Sequence, residues 1–321
     1  MSNGLGLGVN LWSQASDWPA FLRAARRADE LGFDHFWTWD HLLAIFGEPD
    51  QPIFEGYTAL AAVAASTSRI RLGLFVGANT FRNPALAVKA ITTIDHISGG
   101  RAVLGIGGAW FELEHQAFGI DFGSGFGQRL DWLAEAVPAM RGLLDGETVT
   151  SPPGGRYAFD GLRLDPPPLQ ARLPIMIGGS GERKTLRIVA EHADIWNAFG
   201  TPEVLAHKDA VLRAHCADVG RDPAAIERTV GCKITIRSTE AEAERVRRAM
   251  LAHNRTSLES VEGDETFWTG TPEQIAETIV AYRRIGFHTF IVELAAPFDD
   301  ETMETLVRVV KPMVESVPLP G

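Results

Sequence analysis

Short apolar runs recur along the chain and alternate with longer stretches in which apolar residues repeat every three to four positions. The short runs are rich in Val, Ile, Phe and Trp, which is typical of buried strands. They predict strands at residues 5–12, 35–41, 70–76, 101–107, 175–179, 194–199, 229–236 and 289–294. The stretches between them predict helices near residues 17–32, 56–68, 84–98, 128–145, 182–192, 202–219, 271–286 and 300–316.

Alternating apolar strands and helices are typical of a parallel sheet covered by helices. Eight such units predict an α/β fold, a closed (β/α)8 TIM barrel, as one domain over residues 1–321. A doubly wound open sheet is the alternative, but no G-x-G-x-x-G follows the first strand. Three segments exceed the plain unit, at residues 108–127, 146–172 and 239–261, and we expect insertions after strands four, five and seven.

Composition limits the function classes. The net charge of −11 argues against a nucleic-acid-binding surface. No apolar stretch approaches the roughly 20 residues of a membrane span, and the first twelve residues lack the features of a signal peptide. Cys216 and Cys232 have no metal-site spacing. We therefore expect a cytoplasmic protein with a small-molecule substrate and no nucleic-acid or membrane partner.

Strand two, "HFWTWDH", ends in Asp40 and His41, two groups that a buried strand does not favour. Active sites of (β/α)8 barrels lie at the C-terminal ends of the strands, so both side chains are expected at the mouth of the barrel. Histidine is well suited to proton transfer near neutral pH. The alternative is a helix cap at Asp40 with His41 packed or exposed.

The ends of strands three and four are rich in residues that let a flat ligand approach the backbone. Gly77 and Asn79 lie in an irregular turn, "LFVGANTFRNP", and Gly107 and Gly108 lie at the end of strand four. We expect these positions to form a wall against a planar ligand. The alternatives are ordinary turn chemistry and close strand–helix packing.

Strand five leads through a Gly-rich loop directly into a helix. The loop comprises Gly178, Gly179, Ser180 and Gly181. Backbone N–H groups at the start of a helix attract phosphate, and Arg183 and Lys184 add positive charge. The loop therefore predicts a phosphate site, with a Ser-capped turn as the alternative.

Other chemistries are less well supported by the motifs. Glu112, Glu114 and His115 could hold a metal, but a solvated loop is favoured for them. No G-x-S-x-G nucleophile motif is present. Lys233 lies within strand seven and is interpreted as a salt-bridged or partly exposed residue.

Several of these segments together resemble the bacterial luciferase-like monooxygenase superfamily, over almost the whole chain. They are "WDHL", "DHISGGRAVLGIG", "IGGSGERKTLRIVAEHAD" and "GTPEQIAETIVAYRRIGFHTFIVEL". The closer resemblance is to its branch of F420-dependent oxidoreductases. It implies coenzyme F420 as the cofactor, with FMN and a reduced-FMN-dependent monooxygenase as the alternative. A non-catalytic flavin carrier on the same barrel is a third possibility, and relatives are often homodimers.

The resemblance also implies positions in the site. The cofactor ring would lie against the strand-three bulge at Phe75 and Val76, joined by a cis peptide bond, and the phosphate on the Gly-rich loop. His41 matches the active-site histidine of the family, with Asp40 beside it. Relatives acting on sugar phosphates have a Glu just after strand four, where this chain has Trp110.

Aromatic side chains at the strand ends predict the substrate side of the pocket. We expect Trp12, Trp39, Trp110 and Trp196 to line it. Since residues alternate in direction along a strand, about half of such side chains should point elsewhere. An aromatic lining without a carboxylate after strand four favours an apolar or conjugated substrate over a sugar phosphate.

Overall fold

The computed structural model describes residues 4–319. Within them the strands are β1 (Gly6–Leu11), β2 (His35–Thr38), β3 (Arg71–Leu74), β4 (Gly77–Ala78), β5 (Ala102–Gly107), β6 (Ile175–Gly178), β7 (Ile195–Ala198), β8 (Glu227–Ile236), β9 (Phe267–Gly270) and β10 (Thr289–Leu294). The helices are α1 (Trp18–Leu31), α2 (Gly56–Ser66), α3 (Pro84–Ser98), α4 (Glu112–Phe118), α5 (Phe126–Leu144), α6 (Thr185–His192), α7 (Pro202–Asp218), α8 (Glu240–His253), α9 (Pro272–Arg283), α10 (Asp300–Thr305) and α11 (Lys311–Glu315). A π-helical segment, Leu306–Val310, joins the last two, and 3-10 turns lie at Pro223–Ala225 and Glu259–Val261.

A closed parallel barrel confirms the predicted fold. Its eight strands, within the described part of the chain, run in the order β1, β2, β3, β5, β6, β7, β8 and β10, and β10 pairs with both β8 and β1. The short β4 pairs with β5 beyond the end of β3, and β9 pairs with the C-terminal half of β8. None of the helices among residues 4–319 is long and apolar enough to cross a membrane.

Local sequence signals explain where the first helix begins and ends. The Asp17 side chain accepts a hydrogen bond from the Ala20 N–H at 2.8 Å, and Pro19 follows in the first turn. The helix stops at Gly32, whose φ of 91° favours glycine. Thr271 caps α9 in the same way and forms a capping box with Gln274.

The insertions differ in part from the prediction. Residues 108–127 and 146–172 both lie between β5 and β6, which are barrel strands four and five. The expected insertion after strand five is therefore wrong, because the Pro-rich segment precedes that strand. Within residues 146–172, an isolated antiparallel bridge joins Val149 to Leu162. The insertion after strand seven is present and contains α8 and β9.

Strand residues alternate between two apolar layers. Those pointing outward join the main core between the barrel and its helices. Those pointing inward form a separate small cluster that fills the barrel. Its fully buried members include Trp37, Val103, Met176 and Ile291. The interior is thus a packed core, and the open space lies above it, at the C-terminal ends of the strands.

Candidate active site

A cavity of about 480 Å³ lies at the C-terminal ends of the barrel strands. This volume is in the usual range for sites that bind small molecules and cofactors. Most of the predicted site residues line it. They are Trp39, Asp40, His41, Phe75, Val76, Gly77, Gly107, Gly108, Trp110, Gly178, Gly179, Ser180 and Gly181.

His41 is oriented by a buried carboxylate. Its Nδ1 lies 2.9 Å from Oε1 of Glu114, whose side chain is 2% exposed. Because a carboxylate only accepts hydrogen bonds, Nδ1 carries the proton of this pair. Nε2 is then the ring nitrogen left to exchange a proton with a ligand. The imidazole ring also meets the Trp110 ring edge to face, with the centroids 5.6 Å apart.

Glu114 and His115 correct an expectation, because the segment that holds them was interpreted as a solvated loop. Residues Glu112–Phe118 form α4, which buries both side chains. The second oxygen of Glu114 accepts from the Leu42 N–H at 2.8 Å. His115 Nδ1 lies 2.7 Å from the Phe111 carbonyl oxygen, and its Nε2 lies 2.7 Å from Thr80 Oγ1. Both residues therefore anchor α4 to the ends of the barrel strands.

Asp40 lines the cavity, but its carboxylate is fully engaged. Arg82 donates to both of its oxygens, at 2.6 and 2.8 Å, and the Ala78 N–H donates at 2.9 Å. Burial raises the pKa of Asp40, and the Arg82 guanidinium opposes this effect. The pair ties the end of β2 to β4. The geometry therefore makes Asp40 a residue that positions the strand-three bulge.

The strand-three bulge forms one wall of the cavity. The peptide bond between Phe75 and Val76 is cis, as the resemblance implies. Val76 lies against two glycines of the neighbouring strands. A Cβ atom added to Gly107 would lie 2.8 Å from Val76 Cγ2, and one added to Gly178 would lie 3.0 Å from it. A side chain at either position would therefore push against Val76 and disturb this wall.

The Gly-rich loop joins this wall to the start of α6. Gly179 has a φ of 126°, which favours glycine, and its N–H donates to the Asn197 carbonyl at 3.0 Å. Thr185, the first residue of α6, also lines the cavity. Lys184 turns towards α5 and donates to the Gly127 carbonyl at 3.0 Å, and Arg183 is exposed. The expected basic pair therefore does not converge on the loop.

Asn79 was expected to bind the cofactor and does not line the cavity. Its side-chain NH2 donates to the Tyr157 hydroxyl at 3.0 Å, and both side chains are buried. Tyr157 belongs to the Pro-rich insertion, which covers the outside of the bulge. The sequence of the turn does not reveal which side of the bulge each residue faces, and Asn79 faces the insertion.

Trp196 was expected to line the substrate side and instead lies in the main core. It is fully buried, and its Nε1 donates to the Gly179 carbonyl at 2.8 Å. Because alternate residues of a strand point in opposite directions, Asn197 and Phe199 reach the cavity in its place. Trp196 therefore supports the Gly-rich loop from behind.

Trp12 also lies outside this cavity. Its ring stacks on Phe46 with the centroids 4.2 Å apart, and its Nε1 donates to Glu293 at 3.0 Å. It lines a neighbouring cavity of about 320 Å³ instead. Of the four tryptophans, Trp39 and Trp110 line the main cavity.

Sequence reasoning missed four polar residues of the site: Arg82, Glu114, Lys233 and Glu293. Lys233 lines the cavity, and its ammonium donates to Thr266 Oγ1 at 2.8 Å. Glu293 accepts from Asn10 and Trp12, and burial raises its pKa. A signal for the last two was available, since each is a charged residue inside an otherwise apolar strand.

Comparison with known proteins identifies the family. Residues 6–289 match the luciferase-like monooxygenase family. The chain is 30% identical to Rv0953c, an uncharacterized protein of Mycobacterium tuberculosis, over 62% of this chain and 74% of that protein. It is 31% identical to the 5,10-methylenetetrahydromethanopterin reductase of Methanolobus tindarius, over 63% of this chain and 57% of that one. It is 29% identical to the pyrimidine monooxygenase RutA of Caulobacter vibrioides, over 67% of this chain and 64% of that protein.

Solved structures share the whole fold. An F420-dependent secondary alcohol dehydrogenase superposes with a TM-score of 0.81 at 19% identity, covering 97% of this chain and 99% of that one. The monooxygenase RslO1 of Streptomyces bottropensis gives 0.78 at 22% identity, covering 97% and 98%. Because the family match extends over most of the chain and the fold is the same barrel, the protein belongs to the luciferase-like monooxygenase family, which comprises oxidoreductases and monooxygenases.

Proposed function

We propose that the protein is an F420-dependent oxidoreductase, which transfers a hydride between the deazaflavin and a small, apolar or conjugated organic molecule. The observation that carries this proposal is that one cavity brings together a flat wall and an oriented histidine. A flat wall made by Val76 against two glycines faces a cavity that also contains the oriented imidazole of His41. A two-electron reduction of an organic molecule needs both a hydride and a proton, and no side chain stores a hydride.

The residues present fit a flavin-like cofactor. The wall at Val76, Gly107 and Gly178 offers a flat surface that a single Cβ atom would disrupt. The loop from Gly178 to Gly181 would hold the phosphate at the start of α6. When bound, the deazaflavin supplies or accepts the hydride.

The chain's own residues then have separate roles. Glu114 orients His41, and His41 Nε2 gives a proton to the substrate or takes one from it. Asp40 and Arg82 hold β4 and with it the end of the bulge. The Trp39 and Trp110 rings offer flat apolar faces to the substrate. The similarity to the Methanolobus tindarius reductase supports a reductase of this kind.

A reduced-FMN-dependent monooxygenase is the second candidate. The similarity to the pyrimidine monooxygenase RutA favours it, and the same flat wall suits the FMN ring. The phosphate loop would serve either cofactor, because the two molecules share the phosphate and differ in the ring.

Equilibrium titrations with F420 and with FMN test the proposal. We expect F420 to bind and FMN to bind at least tenfold more weakly. Gly178→Ala should weaken F420 binding at least tenfold, because its Cβ displaces Val76 from the wall. Gly127→Ala is the control, since an added Cβ there has its nearest neighbour 4.0 Å away.

A screen of reduced-F420 oxidation then tests the substrate class. Activated alkenes and imines should react ahead of glucose 6-phosphate. Tight FMN binding with oxygen-dependent product formation would establish the monooxygenase instead. Cofactor binding without turnover of any compound would indicate a carrier.

A further inference from the structure

Lys233 and Glu293 lie side by side in the barrel wall opposite the bulge. They are paired residues of the parallel strands β8 and β10. Paired residues of neighbouring strands point to the same face of a sheet, so both side chains enter the barrel mouth. Lys233 is 9% exposed and Glu293 is 6% exposed. Both line the main cavity and also the neighbouring cavity, so a ligand can reach them.

Each of the two groups is held in place by other polar partners. The Lys233 ammonium donates to Thr266 Oγ1 at 2.8 Å and lies 3.4 Å from Asp264 Oδ2. An ammonium has three N–H groups, so these two contacts leave one for a ligand. Asn10 and Trp12 both donate to Oε2 of Glu293, at 2.9 and 3.0 Å.

The charge balance of this corner favours a neutral ligand atom. Asp264 compensates the charge of Lys233. Burial raises the pKa of Glu293, while Lys233 and hydrogen bonds from Asn10, Trp12 and Trp39 oppose this effect. A ligand carboxylate would add an uncompensated negative charge to a site that is largely closed to water, which is costly. A carbonyl oxygen has two lone pairs and no net charge, and it can accept from the Lys233 ammonium.

We propose that Lys233, beside Glu293, forms a subsite for the carbonyl oxygen of an α,β-unsaturated ketone. The inference rests on the proposed function and names its substrate class. A bound reduced deazaflavin would supply the hydride, which forms a C–H bond at the β-carbon. The electron pair of the C=C bond shifts towards the carbonyl group, and the pair of the C=O bond moves onto oxygen.

The resulting enolate oxygen is held by the Lys233 ammonium. The protonated imidazole of His41 then gives its proton to the α-carbon, and the C=O bond is restored. The substrate gains one hydride and one proton, and the cofactor is oxidised by two electrons. Lys233 thus binds the carbonyl oxygen, and His41, at a different strand of the mouth, protonates the α-carbon.

Ligand binding to the protein without cofactor tests the subsite separately from turnover. The probes are 2-cyclohexenone and 1-cyclohexene-1-carboxylate, titrated by calorimetry into the unmodified chain. We expect the ketone to bind at least tenfold more tightly than the carboxylate. Tighter binding of the carboxylate, or no binding of the ketone, overturns the proposal, and neither result depends on a variant that folds.

Two variants and a control assign the effect to residues. Lys233→Met should weaken ketone binding at least tenfold. Glu293→Gln should leave it within threefold, because the carbonyl oxygen is bound by the Lys233 ammonium. Lys89→Met, remote from the cavity, should leave it unchanged. Unchanged ketone affinity in a folded Lys233→Met variant overturns the subsite.

The failure of this inference can be told from the failure of the proposed function. F420 binding is measured in the same proteins. If F420 binds and the ketone discrimination is absent, the subsite is wrong and the oxidoreductase proposal stands. If F420 does not bind and the ketone still binds through Lys233, the cofactor assignment is wrong and the subsite stands.

Discussion

Replacing Glu114 by glutamine should move the ring proton of His41 from Nδ1 to Nε2. In the native site Oε2 of Glu114 accepts from the Leu42 N–H at 2.8 Å, and from Leu43 N–H at 3.4 Å. In Glu114→Gln the amide oxygen must serve these two backbone donors, because leaving them unpaired costs about 1–3 kcal/mol each. The amide NH2 then faces His41 Nδ1, which has to accept. The ring proton moves to Nε2, the nitrogen that is proposed to exchange a proton with the ligand.

The size of the effect follows from the bond that is lost. Hydrogen bonds to charged groups contribute about 1.5–3 kcal/mol. At about 1.4 kcal/mol per factor of ten, turnover should fall roughly 10- to 150-fold if this bond serves the transition state. Affinity for the cofactor should change less than about threefold, because Glu114 contacts neither the bulge nor the Gly-rich loop in the observed hydrogen bonds.

Two measurements check this prediction. Steady-state kinetics should show the loss in kcat, with a smaller change in KM. Long-range ¹H–¹⁵N spectra at alkaline pH should show the Nδ1–H tautomer of His41 in the native protein and its absence in the variant. Glu112→Gln is the matched control, because Glu112 lies two residues away on the same helix and is exposed. A native His41 with its proton on Nε2 would refute the reasoning, whatever the kinetics show.

Two further predictions concern stability. Burial lowers the pKa of His35 to about 3, with Arg71 adding to the effect, so the unfolded chain binds the proton first as the pH falls below about 6.5. The free energy of unfolding should therefore drop by about 1.4 kcal/mol per pH unit from pH 6.5 towards 3. Urea titrations of His35→Gln at several pH values should lack this contribution. An equal dependence of the unfolding free energy on pH in both proteins contradicts the prediction. Asp40→Asn should cost about 3–5 kcal/mol, because it leaves the partly buried Arg82 without its main partner, whereas Glu55→Gln at the exposed side of the same cluster should cost less than about 1 kcal/mol. Equal losses in these two variants would show that Asp40 is not the anchor of β4.

The barrel could be predicted because its signal is repeated along the chain. Each strand is a short apolar run and each helix has an amphipathic period, so errors at one boundary do not change the class of fold. His41 and the Gly-rich loop could be placed for a related reason. Parallel strands bring all their C-terminal ends to one side, so a chemical group after a strand is expected at the mouth. Neither inference requires knowledge of distant contacts.

The direction of individual side chains could not be predicted with the same success. Trp196 and Asn197 are neighbours in the sequence, yet one lies in the outer core and the other lines the cavity. A shift of one residue in the position of the strand exchanges the two faces. Asn79 was misplaced for a similar reason, because an irregular bulge has no fixed period from which a side-chain direction can be derived.

Partners from distant parts of the chain were the other limit. Glu114 is separated by 73 positions from His41, and nothing local indicates that α4 folds over the end of β2. The sequence of α4 is polar and is flanked by glycines, and such a sequence is as typical of a solvated loop as of a helix. Only the closed barrel shows that its one buried carboxylate meets the one histidine at the end of strand two.

The distribution of these groups around the mouth explains how one barrel can serve several chemistries. The wall for the ring is made of backbone, glycines and Val76, on β4, β5 and β6. The groups proposed to meet a substrate are side chains that follow β2 and β5 or lie on β8 and β10. A substitution at Lys233 should therefore change which substrate binds without changing the affinity for the cofactor. The aromatic rings alone favour any flat apolar molecule, whereas His41 and the Lys233–Glu293 pair require one with a polarised bond in a defined orientation.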